Sequence, residues 1–361
     1  MFDLSFYKGK SVLVTGHTGF KGAWMCEVLL HAGAKVTGYA LNAPTQPNLF
    51  EMFSLDKQMC SIIGDIRDLD KMKSVFQKTK PEIVIHMAAQ PIVRESYRNP
   101  VYTYDVNVMG TANVLECVRL NECVKSFINV TTDKVYKNKE WEWGYRENEE
   151  LNGYDPYSNS KSCSELVTDS YKNSFYKDRD IAVSTMRAGN VIGGGDFAAD
   201  RVIPDCVRAA VKGSDIFIRN PYAVRPFQHV LEPVMAYLMV AAKQYENKEF
   251  AGSYNVGPNE EDCISVGALV AIFCKKWEKI SGQKVIWTSY DIKSPHEANM
   301  LKLDCSKLKK TFDWKPIWNI EKTVEKSVEM YYSLQNEPQK VQEIVIEQLN
   351  SFVNYLGMVN V

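Results

Sequence analysis

The chain has 361 residues, 45% of them hydrophobic and 24% charged, with a formal net charge of -1. That length allows one large domain or two modest ones, and the near-zero charge offers no field for a nucleic-acid or membrane partner. Nine cysteines without a Cys-x-x-Cys pair, no apolar run of membrane-spanning length and no basic-then-apolar start at Met1–Ser5 lead to expectations of free thiols, no metal and a reducing cytoplasm.

Ser11–Thr15 reads as a short buried strand. It runs into Gly16-His17-Thr18-Gly19-Phe20-Lys21-Gly22, then a helical stretch to His31 closed by Gly33. Strand, glycine turn and helix form a dinucleotide-binding arrangement. Glycines let the backbone approach a pyrophosphate, and the helix N-terminus supplies unpaired N–H groups and a positive dipole end. Gly16, Thr18, Gly19, Phe20 and Gly22 are therefore candidate cofactor contacts. A glycine turn without a ligand is the competing reading.

Lys35–Ala40 reads as the second strand. The acidic residue that usually follows and holds a ribose is missing, because Leu41-Asn42-Ala43-Pro44 comes next. No Arg or Lys stands there for a 2′-phosphate. NAD is favoured over NADP, with Asn42 as a weaker ribose contact. Ser61–Ile66 is the third strand, ending in Asp65 and Ile66. Asp65 either meets an adenine amino group or caps the helix from Asp68 onward.

Glu82–His86 is the fourth strand. The small residues in Met87-Ala88-Ala89-Gln90 permit close approach to a cofactor, and His86 reads as a core histidine rather than a catalyst. Val101–Leu120 predicts a long amphipathic helix holding Asn107, and Asp155–Tyr176 predicts another. Two such helices on one side suit pairing with their copies in a homodimer or homotetramer.

Phe127–Val130 reads as a buried strand leading to Thr131-Thr132-Asp133-Lys134. Tyr157 and Lys161 stand four apart, on one face of a helix. An ammonium beside a phenol favours the phenolate, so the Tyr157 pKa is expected to fall from about 10 toward neutrality. A phenolate can take a proton from a hydroxyl, and Thr132 can hold the same oxygen. An ordinary surface Tyr and Lys at helical spacing is the plain alternative.

Ile181–Arg187 is the sixth strand. Alternating strands and helices up to this point predict an α/β fold with a doubly wound parallel (Rossmann) sheet over residues 1–187, its ligand outside the carboxyl ends. Residues 188–361 are expected to form mainly a smaller, mixed α/β substrate domain. A short helix is expected over Ile203–Val211 and a strand at Val285–Trp287. Returns to the main sheet are expected near 226–257, at Gln228–Val230 and Ser253–Val256. Arg201, Arg219 and Arg225 are candidates for gripping a diphosphate, whose oxygens match the guanidinium fork. A solvated charged face is the competing reading.

Taken together, these residues resemble the extended short-chain dehydrogenase/reductase family that acts on sugar nucleotides. Gly16-x-x-Gly19-x-x-Gly22, the Asp65 strand end, His86-x-Ala88-Ala89, Asn107, Tyr157-x-x-x-Lys161 and Arg187-x-x-Asn190 fall in order along nearly the whole chain. Gly16–Gly22, Ala89–Tyr97, Thr131–Tyr136, Ile192–Phe197, Asp200–Asp205 and Arg225–Pro233 are most similar to the branch that dehydrates CDP-glucose. There the Asp133-Lys134 pair replaces the Asp-Glu or Ser-Glu of other branches.

The resemblance implies CDP-glucose as substrate, NAD as a cofactor regenerated in each turnover, and a lyase serving deoxysugar biosynthesis. It implies Tyr157 as base on the sugar 4-hydroxyl, supported by Lys161, with Thr132 on the 4-oxygen. Asp133 would protonate the departing 6-hydroxyl. Lys134 would take the carbon 5 proton or stand as a cation beside the enolate, with direct participation favoured. Ala88, Ala89, Gln90, Asn107, Asp65 and Ile66 would meet the cofactor. Asn190 and Arg225 would hold the diphosphate, Arg201 and His296 the nucleotide end, and Arg94 and Tyr97 would face the sugar. His229 could be structural. A 4-epimerase of the same family needs Tyr157 and Thr132 but no acid–base pair for carbons 5 and 6, and a cofactor-sensing protein needs no turnover at all.

Overall fold

In the computed structural model, which describes residues 3–289 and 299–355, the apolar runs assemble into one seven-stranded sheet. Its strands are β1 (Ser11–Thr15), β2 (Lys35–Ala40), β3 (Cys60–Ile63), β4 (Ile83–His86), β5 (Ser126–Val130), β6 (Ala182–Ala188) and β7 (Ser253–Val256). They lie in the order β7-β6-β5-β4-β1-β2-β3, all parallel. Val12-Leu13-Val14 and Ile83-Val84-Ile85 are wholly buried, as continuous apolar strands must be when helices cover both faces. Val12 stands opposite both Val36 and Ile83. The chain moves outward from β1 to β3, then returns to β4 on the other side of β1. That reversal opens a crevice at the carboxyl ends.

Helix α1 (Phe20–His31) follows the glycine turn and stops before Gly33, which adopts φ 74°. Helix α2 (Pro156–Tyr171) begins with Pro at its first position, where a missing N–H costs nothing. Asp155 caps it, accepting from Ser158 N at 3.0 Å. The expected helix over Val101–Leu120 is broken. It runs as Pro100–Tyr104, a π-helical turn at Asp105–Met109, and Gly110–Arg119. The expected second helix likewise ends in a π-helical turn, Lys172–Tyr176.

Past β6 the expectation holds for Ser253–Val256, the edge strand β7, but fails for Gln228–His229. That pair runs parallel to Val191–Ile192, beyond the end of β6. Both sides of β6 are already taken by β5 and β7, so the Gln228 N–H meets Asn190 O at 3.0 Å instead. The strand expected at Val285–Trp287 is Trp287–Thr288, paired with Ile216–Phe217. Helix α3 (Leu231–Glu246) is apolar nearly all round and packs on β5 and β6. A second core gathers Ile203, Val207, Phe273, Trp277, Val324 and Val328. The last helix, Val341–Tyr355, returns Val345, Leu349 and Phe352 to the main core beside Trp24 and Trp318. All nine cysteines are unpaired. No helix among the described residues is long and apolar enough to cross a membrane.

Candidate active site

The carboxyl ends of the strands open into one cleft of about 1170 Å³. Its floor is the glycine turn, where Gly16, Thr18, Gly19, Phe20, Lys21 and Gly22 line it. Gly16 adopts φ 78°, and a Cβ there would stand 2.8 Å from Ala88 N. A Cβ on Gly22 would stand 2.0 Å from Gly16 O. Only glycine fits either place, and the N-terminus of α1 is thereby drawn up to the cleft. Asn42, Asp65, Ile66, Ala88, Ala89 and Gln90 also line it. The donor-rich turn, the small residues after β4 and the neutral Asn42 suit a dinucleotide without a 2′-phosphate. His17 does not reach the cleft. It packs into the space over Gly38, with Nε2 2.7 Å from Ser61 Oγ, and burial pushes its pKa to about 4.

One alternative about this half falls away and two expectations change. Asp65 is not the helix cap, because Asp68 accepts from Lys71 N at 3.0 Å and begins the helix. Asp65 instead receives Arg67 through both oxygens, at 2.7–3.1 Å, and that hydrogen bonding holds its carboxyl below the ordinary range. Asn107 is buried behind the Gln90 loop and does not line the cleft. Its amide receives Gln90 N at 2.8 Å and donates to Gln90 O at 3.1 Å and Ser160 Oγ at 2.9 Å. It braces the loop from behind.

The second change concerns Tyr157. Tyr157 and Lys161 both line the cleft from α2. Burial nevertheless pushes the phenol up to about 12, against the lowering effect of the Thr132 hydroxyl and Arg201. Lys161 is pushed down to about 8 by burial. Its ammonium donates to Val130 O at 3.2 Å. Desolvation therefore outweighs the charge effect expected from spacing alone. His86 behaves as expected. Its Nδ1 is 2.7 Å from Thr15 Oγ1 and its Nε2 is 3.1 Å from Thr111 Oγ1, and burial takes its pKa to about 3.

Thr132, Asp133 and Lys134 follow β5 in a tight turn. Asp133 is fully buried, with Oδ1 accepting from Thr132 Oγ1 at 2.9 Å and from Lys134 Nζ at 3.0 Å. Its Oδ2 has no hydrogen-bond partner among the described residues. Lys134 Nζ also donates to Asn190 Oδ1 at 3.4 Å. All three residues line the cleft.

Two residues escaped the sequence reading. Glu165 extends the Tyr157–Lys161 face by one more helical turn, a signal present in the spacing. Its carboxylate accepts from Thr131 Oγ1 at 2.5 Å, Thr185 Oγ1 at 2.6 Å, and Arg187 Nε and Nη2 at 2.9 Å each. Lys21 counted only as part of the glycine motif. Its side chain lies 5.6 Å from the Tyr237 ring centroid, and burial with nearby Arg201 and Lys161 lowers its pKa to about 7.

Across the cleft stand Arg94, Asn190, Arg201, Arg219 and Arg225. Asp200 ties Arg94 at 3.3 Å and Arg219 at 2.8 Å. Arg225 donates to Val224 O at 2.9 Å. Tyr97 does not line the cleft, and His296 lies outside the described residues. His229 is structural: it packs between Trp24 and Trp318, with ring centroids at 5.9 and 4.7 Å. Among the described residues no cluster of His, Cys, Asp or Glu is placed to hold a metal.

The family model described as GDP-mannose 4,6 dehydratase matches residues 13–327. CDP-glucose 4,6-dehydratase of Salmonella typhimurium is 48% identical over 337 residues, covering 92% of this chain and 93% of the relative. dTDP-glucose 4,6-dehydratase of Xanthomonas campestris is 27% identical, covering 90% of this chain and 93% of its own. Two solved structures share the fold. UDP-glucose 4-epimerase of Thermotoga maritima with UDP-glucose superposes with TM-score 0.77 at 22% identity, over 90% of this chain and 99% of that one. dTDP-glucose 4,6-dehydratase of Bacillus anthracis in complex with NAD superposes with TM-score 0.75 at 20% identity, over 93% and 100%. A Rossmann sheet, a glycine turn built for a dinucleotide and the Thr132–Lys134 turn facing Tyr157 agree with these likenesses, and the chain belongs to the GDP-mannose 4,6-dehydratase family.

Proposed function

We propose that this chain is an NAD-dependent dehydratase that converts CDP-glucose to CDP-4-keto-6-deoxyglucose, a step of deoxysugar biosynthesis. One observation carries the reading: the Asp133–Lys134 pair stands in the same cleft as Tyr157 and Thr132. An oxidation site alone would serve an epimerase. An acid–base pair beside it, with its carboxyl buried, serves elimination of water. The 48% identity to a CDP-glucose 4,6-dehydratase supports the choice of nucleotide.

The backbone around Gly16, Gly19 and Gly22, with Ala88, Ala89 and Gln90, would hold the dinucleotide. NAD+, when bound, supplies a hydride acceptor for carbon 4, a donor for carbon 6 and a cationic ring that favours the Tyr157 phenolate. Tyr157 takes the proton of the sugar 4-hydroxyl while Thr132 bonds the same oxygen. Lys161 keeps a positive charge beside them. The new ketone acidifies the carbon 5 proton.

Lys134 Nζ stands 3.0 Å from Asp133 Oδ1, close enough for a proton to be handed across. With that proton on Asp133, the pair presents an acid and a free amine together. Lys134 then removes the carbon 5 proton, Asp133 protonates the 6-hydroxyl, and water leaves. Arg201, Arg225 and Asn190 hold the diphosphate, and Arg94 lies toward the sugar.

We assign residues 1–187, with returning segments near 226–257, to cofactor binding and 188–361 mainly to the sugar nucleotide. Val101, Met109, Leu166 and Phe175 leave apolar surface exposed on neighbouring helices, which suits a homodimer or homotetramer. Unpaired cysteines suit the cytoplasm. The test is incubation of the protein and NAD+ with CDP-glucose, dTDP-glucose, GDP-mannose and UDP-glucose, reading product mass. Loss of one water from CDP-glucose alone is expected. Water lost from another nucleotide overturns the substrate, and no mass change on any of them overturns the dehydratase.

A further inference from the structure

The dehydration releases no net proton, yet the proposed roles leave one misplaced. Tyr157 gains the proton of the 4-hydroxyl, and the product stays a ketone, so Tyr157 never returns it to the sugar. Lys134 takes the carbon 5 proton and gives it back to carbon 5. The hydride removed from carbon 4 is restored at carbon 6, so the redox balance closes. Asp133 gives its proton to the 6-hydroxyl, which departs as water. Each turnover therefore ends with Tyr157 holding one proton too many and the Asp133–Lys134 pair one too few. One proton must pass from Tyr157 to Asp133 before the next cycle.

A path of the right direction is built into the turn after β5. Tyr157 lies beside the Thr132 hydroxyl. Thr132 Oγ1 donates onward to Asp133 Oδ1 at 2.9 Å. As Tyr157 gives its proton to Thr132 Oγ1, Thr132 passes its own to Asp133: one O–H bond breaks and one forms at each link. The three side chains are 9%, 5% and 0% exposed, so little water competes. Beside this chain, against the carboxylate of Asp155, stand four groups that are cationic when protonated: Lys21, Lys134, Lys161 and Arg201. They favour a negative charge travelling between Asp133 and Tyr157 as the proton moves the other way.

We propose that the Thr132 hydroxyl is an internal proton relay that resets the enzyme between turnovers, in addition to holding the 4-oxygen. This rests on the dehydratase reading above. Rapid-quench progress curves with substrate in about tenfold excess over sites would test it, comparing wild type, Thr132→Ser and Thr132→Val. Wild type and Thr132→Ser should form product linearly and be indifferent to buffer concentration. Thr132→Val also loses the bond to the 4-oxygen, so its single-turnover rate with enzyme in excess sets its own baseline; its later turnovers should run at least about tenfold slower than that baseline, the slow phase quickening as imidazole is added to carry the proton. Thr132→Ala gives the same contrast if Thr132→Val does not fold. Linear progress in the hydroxyl-less variant, or a slow phase blind to imidazole, overturns the relay. Absence of water loss in the wild type would instead overturn the dehydratase reading beneath it.

Discussion

Replacing Glu165 should cost this protein more stability than any other change on the catalytic helix. Glu165 and Arg187 are each 3% exposed and meet in a bidentate pair at 2.9 Å. Removing one partner of such a pair strands a buried charge, which typically costs about 3–5 kcal/mol. Glu165→Ala also strands the Thr131 hydroxyl, at about 1 kcal/mol, whereas Thr185 Oγ1 keeps Ser253 Oγ at 3.0 Å. Among the described residues Arg187 then keeps Tyr136 Oη and Glu147 O as hydrogen-bond acceptors, both at 2.9 Å. A total of roughly 4–6 kcal/mol is expected for Glu165→Ala. Paired apolar replacement, Glu165→Leu with Arg187→Met, should cost less than either single change because no charge is left uncompensated. Guanidinium denaturation followed by intrinsic fluorescence measures this as a shift of midpoint at constant slope. A single-variant loss below about 1 kcal/mol, or a double variant equal to the sum of its singles, would refute the reasoning.

Glu232 is fully buried and accepts from Ile317 N and Trp318 N at 2.8 Å, yet burial still raises it from its ordinary 4.5 to about 8. Its folded pKa exceeds its unfolded one, so its stabilising contribution is complete below about pH 4.5 and is lost as pH rises to about 8. That interval corresponds to at most about 5 kcal/mol. Glu232→Gln should flatten the pH dependence of stability across it, and parallel curves for variant and wild type would count against the burial argument. Tyr157→Phe should abolish oxidation at carbon 4, read as loss of the 340 nm signal with substrate, while NAD still binds by fluorescence quenching. Oxidation at the wild-type rate would sink the role given to Tyr157. Lys134→Ala should stop exchange of the carbon 5 proton with solvent deuterium. Full exchange would pass the base role to another group.

The parallel sheet was legible because its central strands β1 and β4 are near-continuous apolar runs buried on both faces, and the bounds Ser11–Thr15 and Lys35–Ala40 are those of the strands observed. The glycine turn was legible because its positions are sterically dictated. Gln228–Val230 misled because a short extended run carries no information about which neighbour is still unpaired. The break at Asp105–Met109 was invisible because a π-helical turn changes hydrogen bonding without changing amphipathic periodicity. The Tyr157 pKa was misjudged because spacing reports which groups are near each other, whereas depth of burial belongs to the fold.

Helix α2 shows why a site can be easy to suspect and hard to see whole. Its buried side carries Ser158, Ser160, Lys161, Ser162, Ser164, Glu165 and Thr168, so it lacks the apolar stripe that marks a packed helix. Those groups are paired one by one. Asn129 Nδ2 donates to Ser164 Oγ at 3.0 Å and Thr168 Oγ1 at 2.8 Å, and Ser162 Oγ donates to Val135 O at 2.7 Å. An apolar seam tolerates slippage, since one methyl packs much like another. A polar seam does not, because a shifted register would leave several buried donors and acceptors unpaired at about 1–3 kcal/mol each. The polar face therefore fixes where Tyr157 and Lys161 stand relative to β5, and with them the distance from phenol to Thr132. Tyr157 and Lys161 carry the chemistry, but the serines beneath them and Glu165 one turn on determine that they meet the turn after β5.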